Sequence, residues 1–198
     1  MSGSPKKFDH ETALARAVEV FWIQGYEATS VEQLLSAMGI SRSSMYATFG
    51  DKRALYLEAL KAWTDETIGD FIEALCGEGS LETRLARAFA AKHQEQAKHG
   101  NPGCFFGKAL AELDGKDPEA ERVLVNFRQR VLRALRRAFE RAVDEGELEM
   151  GTDVSTMAEA FMAFAQGVAL MGTRDPSLFD RLGPLMLRMI SSELFRPE

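Results

Sequence analysis

Residues 27–52 read EATSVEQLLSAMGISRSSMYATFGDK and carry the signals that decide the fold. Thr29 and Ser30 can cap a short helix, because a hydroxyl at that position accepts a hydrogen bond from a free backbone N–H group. The apolar residues that follow have the spacing i, i+3, i+4 and i+7 and form one helical stripe: Val31, Leu34, Leu35 and Met38. Gly39 then stands where a helix can end in a left-handed residue. The pattern predicts a short amphipathic helix closed by a tight turn.

A second short helix is predicted directly after this turn, with Ser41 as its cap. Met45 and Phe49 lie four positions apart and would face inward, whereas the other side carries small polar and cationic residues: Arg42, Ser43, Ser44, Tyr46 and Thr48. Two short helices across a tight turn are typical of the helix-turn-helix, whose second helix enters the DNA major groove. Arg42 can offer a bidentate fork to guanine, and the serines can bond base edges or phosphates.

The residues of this stretch and of the segment before it form one family pattern: residues 17–21, 25–26, 29–31 and 39–46, then Phe49, Asp51, Lys52 and Leu55. Over residues 10–57 the chain therefore resembles the TetR family of bacterial transcriptional regulators. It departs from the family's usual pattern at Ser43, where glycine is frequent, and at Thr48, where histidine is frequent. The resemblance implies an all-α protein of about nine helices, with a three-helix DNA-binding domain and a helical domain for effector binding and dimerisation.

This reading predicts a set of DNA-contacting residues: Lys6, Lys7, Thr29, Ser30, Ser41, Arg42, Ser43, Ser44, Tyr46, Thr48 and Lys52. Arg42 is expected to read bases, whereas Tyr46, Lys52 and the Thr29 end of the preceding helix are expected to hold phosphates. The expected partner is a near-palindromic double-stranded DNA operator, because a two-fold symmetric dimer presents two recognition helices.

The charge of the chain weighs mildly against nucleic acid, since the 198 residues carry a net charge of −6. Residues 1–60 hold six Lys and Arg against seven Asp and Glu, so the predicted DNA-binding part is not basic in bulk. Its cations are placed locally instead, and screening limits the reach of distant charge to about 8–10 Å. A charged fraction of 27%, no evident membrane span and two widely spaced cysteines predict a soluble protein of the bacterial cytoplasm.

The division of the chain is predicted at residues 1–51 for the arm and DNA-binding domain and 52–198 for the helical body. Asp51 can cap a long helix reaching about Leu75, and Asp117-Pro118 begins another long helix. The last two helices, from about residue 154 to 171 and from Ser177 to about Phe195, are apolar nearly all round, which indicates burial on two sides. A dimer interface is predicted there: Met157, Phe161, Phe164, Val168, Met171, Leu178, Leu182, Leu185, Met186 and Met189.

The chemistry of the body points to binding and not to catalysis, because no catalytic constellation, cofactor motif or metal-ligand spacing is evident. Its aromatic residues could each be plain core, yet together they predict an apolar effector pocket with a few polar anchors. The predicted lining is Trp63, Phe71, Phe89, His93, Cys104, Phe105, Phe106, Phe127, Phe161, Phe164 and Gln166. His93, Asn126 and Gln166 are the candidate anchors for an effector of unknown identity.

Cys104 supports an alternative input for the same DNA function. It follows Pro-Gly at the first turn of a predicted helix, a place that favours a reactive thiolate. The motif Gly103-Cys104-Phe105-Phe106 also resembles an element of a subset of TetR-like repressors, some of which sense electrophiles or oxidants. The plain alternative is a buried, small apolar residue. A reading of another class, a helical dimeric binding protein without DNA function, would leave the polar face of residues 41–48 without a purpose.

Overall fold

The computed structural model describes residues 9–113, 115–175 and 177–190, with side chains up to residue 188. Within these ranges the chain forms nine α-helices and no strand, which confirms the predicted all-α class. In chain order they are α1 (His10–Gln24), α2 (Val31–Met38), α3 (Arg42–Phe49), α4 (Lys52–Cys76), α5 (Leu81–Lys98), α6 (Phe105–Leu113), α7 (Pro118–Asp144), α8 (Val154–Met171) and α9 (Ser177–Ile190). Lys6, Lys7, the side chain of Met189 and the predicted helix end at Phe195 lie outside the described residues.

The helix boundaries follow from local capping chemistry. Asp51 accepts a hydrogen bond from the backbone N–H of Ala54 (2.7 Å) and starts α4. Asp117 accepts from the N–H groups of Glu119 (3.0 Å) and Ala120 (3.1 Å), with Pro118 at the first helical position of α7. Each such cap contributes about 1 kcal/mol by satisfying N–H groups that have no partner inside the helix. These starts were predicted correctly because capping is a local property.

The first three helices and the start of α4 share one apolar core. Phe21 on α1, Leu34 on α2 and Met45 on α3 are each fully buried, and the ring of Tyr56 on α4 meets Phe21 edge-on at 4.9 Å between centroids. The stripe predicted on α2 faces this core, with Leu34 and Met38 buried and Val31 and Leu35 half-buried. The head, defined as residues 9–51, is therefore held rigidly on the first turns of α4.

The body is a layered bundle in which α4 is the common element. Helix α4 is about 37 Å long and packs against α1 in the head and against α5 and α7 in the body. Helix α7 packs in turn on α8, and α8 packs on α9. The predicted domain boundary between residues 51 and 52 coincides with the start of α4. Because α4 belongs to both cores, the boundary itself stays a prediction.

Helix α8 is more apolar than the sequence analysis allowed. Its 18 residues, Val154–Met171, are long and apolar enough to cross a membrane by length and composition alone. The expectation that no stretch reaches this threshold is therefore wrong. A core helix of a soluble protein passes the same test, but only 28% of this helix is buried inside the chain. Its exposed residues include polar ones such as Ser155, Thr156 and Glu159, but Leu170 and Met171 at its end are exposed apolar side chains.

Candidate DNA interface and effector cavity

The turn between α2 and α3 is built from short-range hydrogen bonds. Ser30 Oγ accepts from the backbone N–H of Gln33 (3.2 Å), and Gln33 Oε1 accepts from the N–H of Ser30 (2.7 Å), which completes a reciprocal cap. Gly39 ends α2 with a φ of 67°, a left-handed conformation that glycine adopts without a steric penalty. Ser41 Oγ then accepts from the N–H of Ser44 (3.1 Å) and starts α3. The two helices are thus fixed as the pattern predicts.

Helix α3 shows one buried and one exposed side. Met45 and Phe49 are buried, as predicted, whereas Arg42, Ser43, Tyr46 and Thr48 are exposed. Ser44 is half-buried, and its hydroxyl shares a hydrogen bond with Ser41 Oγ (2.9 Å). The exposed side therefore presents hydroxyl groups, one phenol and one guanidinium, which are groups that bond base edges and phosphate oxygens.

Arg42 is not free in this arrangement, because its guanidinium is paired with the carboxylate of Glu32 on α2. The pKa of Glu32 is lowered, first by a hydrogen bond from its own backbone N–H and then by Arg42. The same contact raises the pKa of Arg42. Both side chains are more than half exposed, so the pair is screened by water and can open at little cost.

Lys52 is the first residue of α4 and is half-buried. Its Nζ is 4.4 Å from the centroid of the Tyr26 ring, a cation–π contact that orients the ammonium group. Lys52 thus occupies a position suited to a phosphate.

Thr29 is the exception among the predicted DNA contacts. Its residue is only 2% exposed, and its Oγ1 donates to the carbonyl of Gly25 at 2.6 Å. The Thr29 side chain is therefore corrected as a DNA contact, because its hydroxyl is used inside the turn between α1 and α2. Ser30 and Ser41 are exposed, and since their oxygens accept the capping bonds, their hydroxyl protons remain able to donate.

A cavity of about 90 Å³ lies inside the body between α4, α5, α7, α8 and α9. Seven of the predicted effector residues line it: Trp63, Phe71, Phe89, Cys104, Phe127, Phe161 and Gln166. It shares Trp63, Thr67, Phe71 and Lys92 with a wider, open groove between α1, α4 and α5. The cavity is predominantly apolar, as small-molecule sites are.

Several of the predicted cavity residues lie elsewhere. Phe105 is fully buried against Tyr56 and Trp63, so it is core, and Phe106 packs on Phe127 at 5.2 Å between centroids. The remaining misplaced residues are His93, which stacks on Phe179 at 4.0 Å, the half-buried Phe164 and the exposed Asn126. These residues are therefore not part of the cavity lining. Helical spacing predicts only approximately which side chains of a helix face the cavity.

Three polar lining residues were missed: Thr67, Lys92 and Gln96. The latter two continue the inward stripe of α5, since Leu85, Ala88 and Phe89 precede them at helical spacing. That helical spacing is the sequence signal that could have identified them. Lys92 Nζ lies 4.2 Å from the centroid of the Trp63 ring and 3.5 Å from Thr67 Oγ1. Burial lowers the pKa of Lys92.

Helix α6 joins the cavity to the head. Cys104, immediately before α6, is 7% exposed and forms part of the cavity wall. Farther along, Lys108 Nζ donates to the carbonyls of Trp22 (2.9 Å) and Ile23 (2.8 Å) at the end of α1. Glu112 Oε2 accepts from the backbone N–H of Tyr26 (2.7 Å).

Two further contacts strengthen this junction. The indole N–H of Trp22 donates to the carbonyl of Gly103 at 2.7 Å. Arg53, at the start of α4, donates to both carboxylate oxygens of Asp117 (2.6 and 2.8 Å) and to Glu119 (3.1 Å). The Arg53 guanidinium holds the pKa of Asp117 down to about 2. The head is therefore connected to the body by directional hydrogen bonds as well as by apolar packing.

The last two helices divide the predicted interface residues into two groups. Met157, Phe161, Val168 and Met186 are at most 4% exposed and pack within the chain's own core, so their assignment to an interface is corrected. Phe164, Leu178 and Leu182 are half-buried, whereas Met171 and Leu185 are 65% and 40% exposed. Leu170 joins this exposed group at 64%. We call the outward apolar residues of α8 and α9 the α8–α9 face: Phe164, Leu170, Met171, Leu178, Leu182 and Leu185.

The helix-turn-helix with an exposed polar α3, mounted on a helical body that encloses a cavity, defines the class of a DNA-binding transcriptional regulator. Residues 13–59 match the family model described as bacterial regulatory proteins of the tetR family. Residues 81–182 match the model described as a tetracyclin repressor-like C-terminal domain. The chain belongs to the TetR family.

Individual relatives agree with this assignment. The chain is 35% identical to the helix-turn-helix transcriptional regulator YezE of Bacillus subtilis (strain 168) over 162 residues, 79% of this chain and 81% of YezE. It is 30% identical to the transcriptional repressor ComR of Escherichia coli (strain K12) over 178 residues, 89% of this chain and 85% of ComR.

Solved structures show the same fold. One is a cysteine variant of the TetR-family regulator CifR in complex with 26-base-pair operator DNA, which is 30% identical in sequence. The alignment covers 96% of this chain and 100% of the CifR chain, with a TM-score of 0.78. The regulatory protein TetR from Rhodobacter sphaeroides is 24% identical, covers 90% of this chain and 97% of its own, and has a TM-score of 0.81. The second likeness concerns the fold alone.

Proposed function

We propose that the chain is a dimeric repressor that binds a near-palindromic operator and is released from it by a small, largely apolar effector bound in the body cavity. As a regulator of transcription it acts on DNA, which places it in the bacterial cytoplasm. The observation that carries the proposal is that one short helix, α6, is continuous with the cavity wall at Cys104 and with the head at Lys108 and Glu112.

The coupling follows from the geometry of that helix. Residue 107 on α6 is a glycine, and a Cβ there would lie 3.8 Å from Gln166 Oε1 in the opposite cavity wall. A ligand that separates these walls therefore pushes directly on α6. Since Lys108 and Glu112 hold the end of α1, a shift of α6 moves the head relative to the body. The effector lowers DNA affinity by the same factor by which DNA lowers effector affinity.

In a dimer, a small movement of the two heads is enough to release the DNA. Two α3 helices must enter major grooves on the same side of the DNA, about 34–36 Å apart. The α8–α9 face supports this assembly, because exposed apolar surface of this kind is typical of protein interfaces. If two copies meet there, the four-helix contact sets the spacing of the heads. A change of a few ångströms in that spacing lets only one half-site bind at a time.

The roles within the head are assigned by chemistry. Arg42 reads a base edge from the first turn of α3, and Tyr46, Thr48 and Lys52 hold phosphates on either side. Ser43, Ser44 and the capping serines contribute hydroxyl contacts near the backbone. The membership in the TetR family supports this reading over a helical binding protein without DNA function.

Fluorescence-anisotropy titration of the purified protein with DNA from upstream of its own gene tests the proposal. Wild type is expected to bind one fragment far more tightly than random DNA and to lose affinity steeply with salt. Arg42→Ala should relax sequence preference by about 1–3 kcal/mol at one position, whereas Lys52→Ala should weaken binding to all sequences alike. Equal behaviour of the two variants would contradict these roles, and no preference over random DNA would contradict the function.

A second candidate function is a DNA-binding regulator that responds to chemical modification of Cys104 instead of a reversibly bound effector. Cys104 lines the cavity, so an electrophile or oxidant that enters it meets a thiol. Modification would add volume to a wall that packs against α8 and would displace α6 in the same direction as a bound effector. Alkylation of wild type that leaves operator binding unchanged, with Cys104→Ser behaving identically, would remove this candidate.

A further inference from the structure

A cation stands at the rim of the cavity without an anion to match it. Lys92 Nζ lies over the ring of Trp63 at 4.2 Å and 5.6 Å from the centroid of Trp22. It donates a hydrogen bond to Thr67 Oγ1 at 3.5 Å. Among the residues that the structure describes, no carboxylate lies within 4 Å of this ammonium group. Burial disfavours its charged form and lowers its pKa.

Two amide side chains line the same cavity as Lys92. Gln96 follows Lys92 by one helical turn and is only 5% exposed, and Gln166 lies opposite on α8. Neither amide group makes a side-chain hydrogen bond within the described part of the chain. Gln96 is buried, whereas Lys92 and Gln166 are half-buried, and all three line the cavity. Their amide and ammonium groups therefore have hydrogen-bonding capacity that the folded chain does not use.

We propose that the effector is a small apolar carboxylic acid, whose carboxylate binds Lys92 and Gln96 and whose hydrocarbon part lies among Phe89, Phe127 and Phe161. This inference rests on the proposed effector function of the cavity and names the chemical class of its ligand. A carboxylate accepts hydrogen bonds from an ammonium and an amide N–H at once, and such charge-assisted bonds are about twice as strong as neutral ones.

Other ligand classes fit this wall less well. A neutral molecule would leave the ammonium group dehydrated without a counter-charge, and a cation would be repelled by it. Cys104, and after it Glu95, Asp70 and Glu66, also act on Lys92 through space and favour its charged form. The three carboxylates do not replace a ligand, because Glu66 and Asp70 are exposed to solvent and Glu95 is paired with Lys98 (2.8 Å) and His99 (3.1 Å).

The dimensions of the cavity restrict the ligand to a small molecule. About 90 Å³ is space for roughly six to nine water-sized groups. The aromatic walls on α5, α7 and α8 are suited to a short alkyl chain or a single ring. Benzoate and hexanoate have this size and charge, and benzamide and hexanamide are their neutral counterparts of the same shape.

Isothermal titration calorimetry of the full chain with these four compounds tests the class. Wild type is expected to bind each carboxylate about ten- to hundredfold more tightly than the matching amide. Lys92→Met keeps the length of the side chain and removes its charge, so it should abolish this preference while amide binding stays as it was. Lys61→Met is the control of the same chemistry, since Lys61 is exposed on α4 and lies outside the cavity, and it should retain the preference.

The outcomes separate the ligand class from the proposed function. Three outcomes would overturn the proposed carboxylic-acid class. The amides bind as tightly as the acids, Lys92→Met keeps the preference for acids, or none of the four compounds binds. If Lys92→Met does not fold, Gln96→Leu serves instead and should reduce the preference severalfold. Carboxylates that bind with the expected preference but leave operator affinity unchanged overturn the effector function and not the class. Release of DNA by amides and acids alike supports the function and overturns the class.

Discussion

At the residue scale, the guanidinium best placed to read bases is already held by a carboxylate. Glu32 on α2 binds Arg42 on α3, and both lie on the exposed side of the helix-turn-helix. An acidic side chain at a DNA-facing surface repels phosphates, which carry one negative charge per about 1.7 Å of duplex axis. Glu32 therefore keeps Arg42 oriented in the free protein and opposes binding until the pair opens.

Glu32→Gln is expected to tighten operator binding severalfold at low salt, because it removes a negative charge near phosphates and frees Arg42. The gain should shrink as salt rises, since it arises from exposed charges. Anisotropy titration at several salt concentrations measures both effects. Glu82→Gln, an exposed glutamate in the first turn of α5, is the control and should leave affinity unchanged. Weaker binding by Glu32→Gln would mean that the orientation of Arg42 outweighs the repulsion.

Asp117 provides a residue-scale prediction for pH. Its folded-state pKa is about 2, held there by Arg53, against an ordinary value of 3.8. A depressed pKa contributes stability that is fully present above the ordinary value and is lost as pH falls through the folded value. Asp117→Asn should therefore lower the urea midpoint by a constant amount between pH 5 and 8, and the difference from wild type should narrow from about pH 4 towards pH 2.

The control for this prediction is Asp153→Asn at the cap of α8. Asp153 caps its helix in the same way, accepting from Ser155 (3.1 Å) and Thr156 (3.0 Å), but no ion pair to it is found among the described residues. Asp153→Asn should lower the urea midpoint less than Asp117→Asn does, because only Asp117 also loses an ion pair with Arg53. A difference from wild type that persists unchanged at pH 2.5 for Asp117→Asn would show that the charge is not involved.

At the element scale, local and long-range features differ in how well the sequence predicts them. The starts of α2, α3, α4 and α7 were predicted because a cap and the N–H groups that it satisfies lie within three residues of each other. Arg84 was not predicted: it is fully buried and reaches Glu147 (3.2 Å) and Glu145 (3.5 Å), which follow it by some sixty positions. Glu112 was missed for the same reason, since its partner Tyr26 is brought near only by tertiary packing.

The junction between α6 and α1 carries an element-scale prediction. Lys108 satisfies two carbonyls at the end of α1, and burial lowers the pKa of its ammonium group. Lys108→Met leaves those carbonyls without a donor and should lower the local stability of the head–body junction by about 1–2 kcal/mol. Hydrogen–deuterium exchange of residues 20–30 is expected to quicken roughly five- to thirtyfold, while exchange in α7 stays as in wild type.

Lys116→Met is the matched control for that junction. Lys116 is exposed just beyond α6, and no side-chain contact to it is found within the described residues. Its exchange pattern should equal that of wild type. Unchanged exchange at residues 20–30 in Lys108→Met would show that the Lys108 hydrogen bonds are not needed, and that the apolar packing and the remaining hydrogen bonds of Trp22 and Tyr26 hold the head to the body.

At the scale of the whole molecule, the unexplained feature is the apolar surface of α8 and α9. Helical periodicity predicted that both helices need two buried sides, but it could not decide which side the chain itself covers. The structure assigns Met157, Phe161, Val168 and Met186 to the chain's own core. The α8–α9 face remains uncovered, and an isolated monomer would expose it to water at an unfavourable free energy.

We propose a second copy of the chain as the partner that covers this face, because the same assembly would also supply the second recognition helix. Met171→Glu and Leu185→Glu each place a charge in the proposed contact, and burying an unpaired charge costs several kcal/mol. We expect the double variant to be monomeric by sedimentation at micromolar concentration. Its affinity for the full operator should fall to that for a single half-site, although each head is unchanged.

The control for the dimer is Val125→Glu on α7, where an apolar residue of comparable exposure, 47%, lies outside the α8–α9 face. This variant should remain dimeric and bind the operator as wild type does. A double variant that still sediments as a dimer would show that the copies meet elsewhere. A monomeric variant that keeps full operator affinity would show that binding to two half-sites at once is not what holds the protein on DNA. In that case an effector could not release the protein by changing the spacing of the heads.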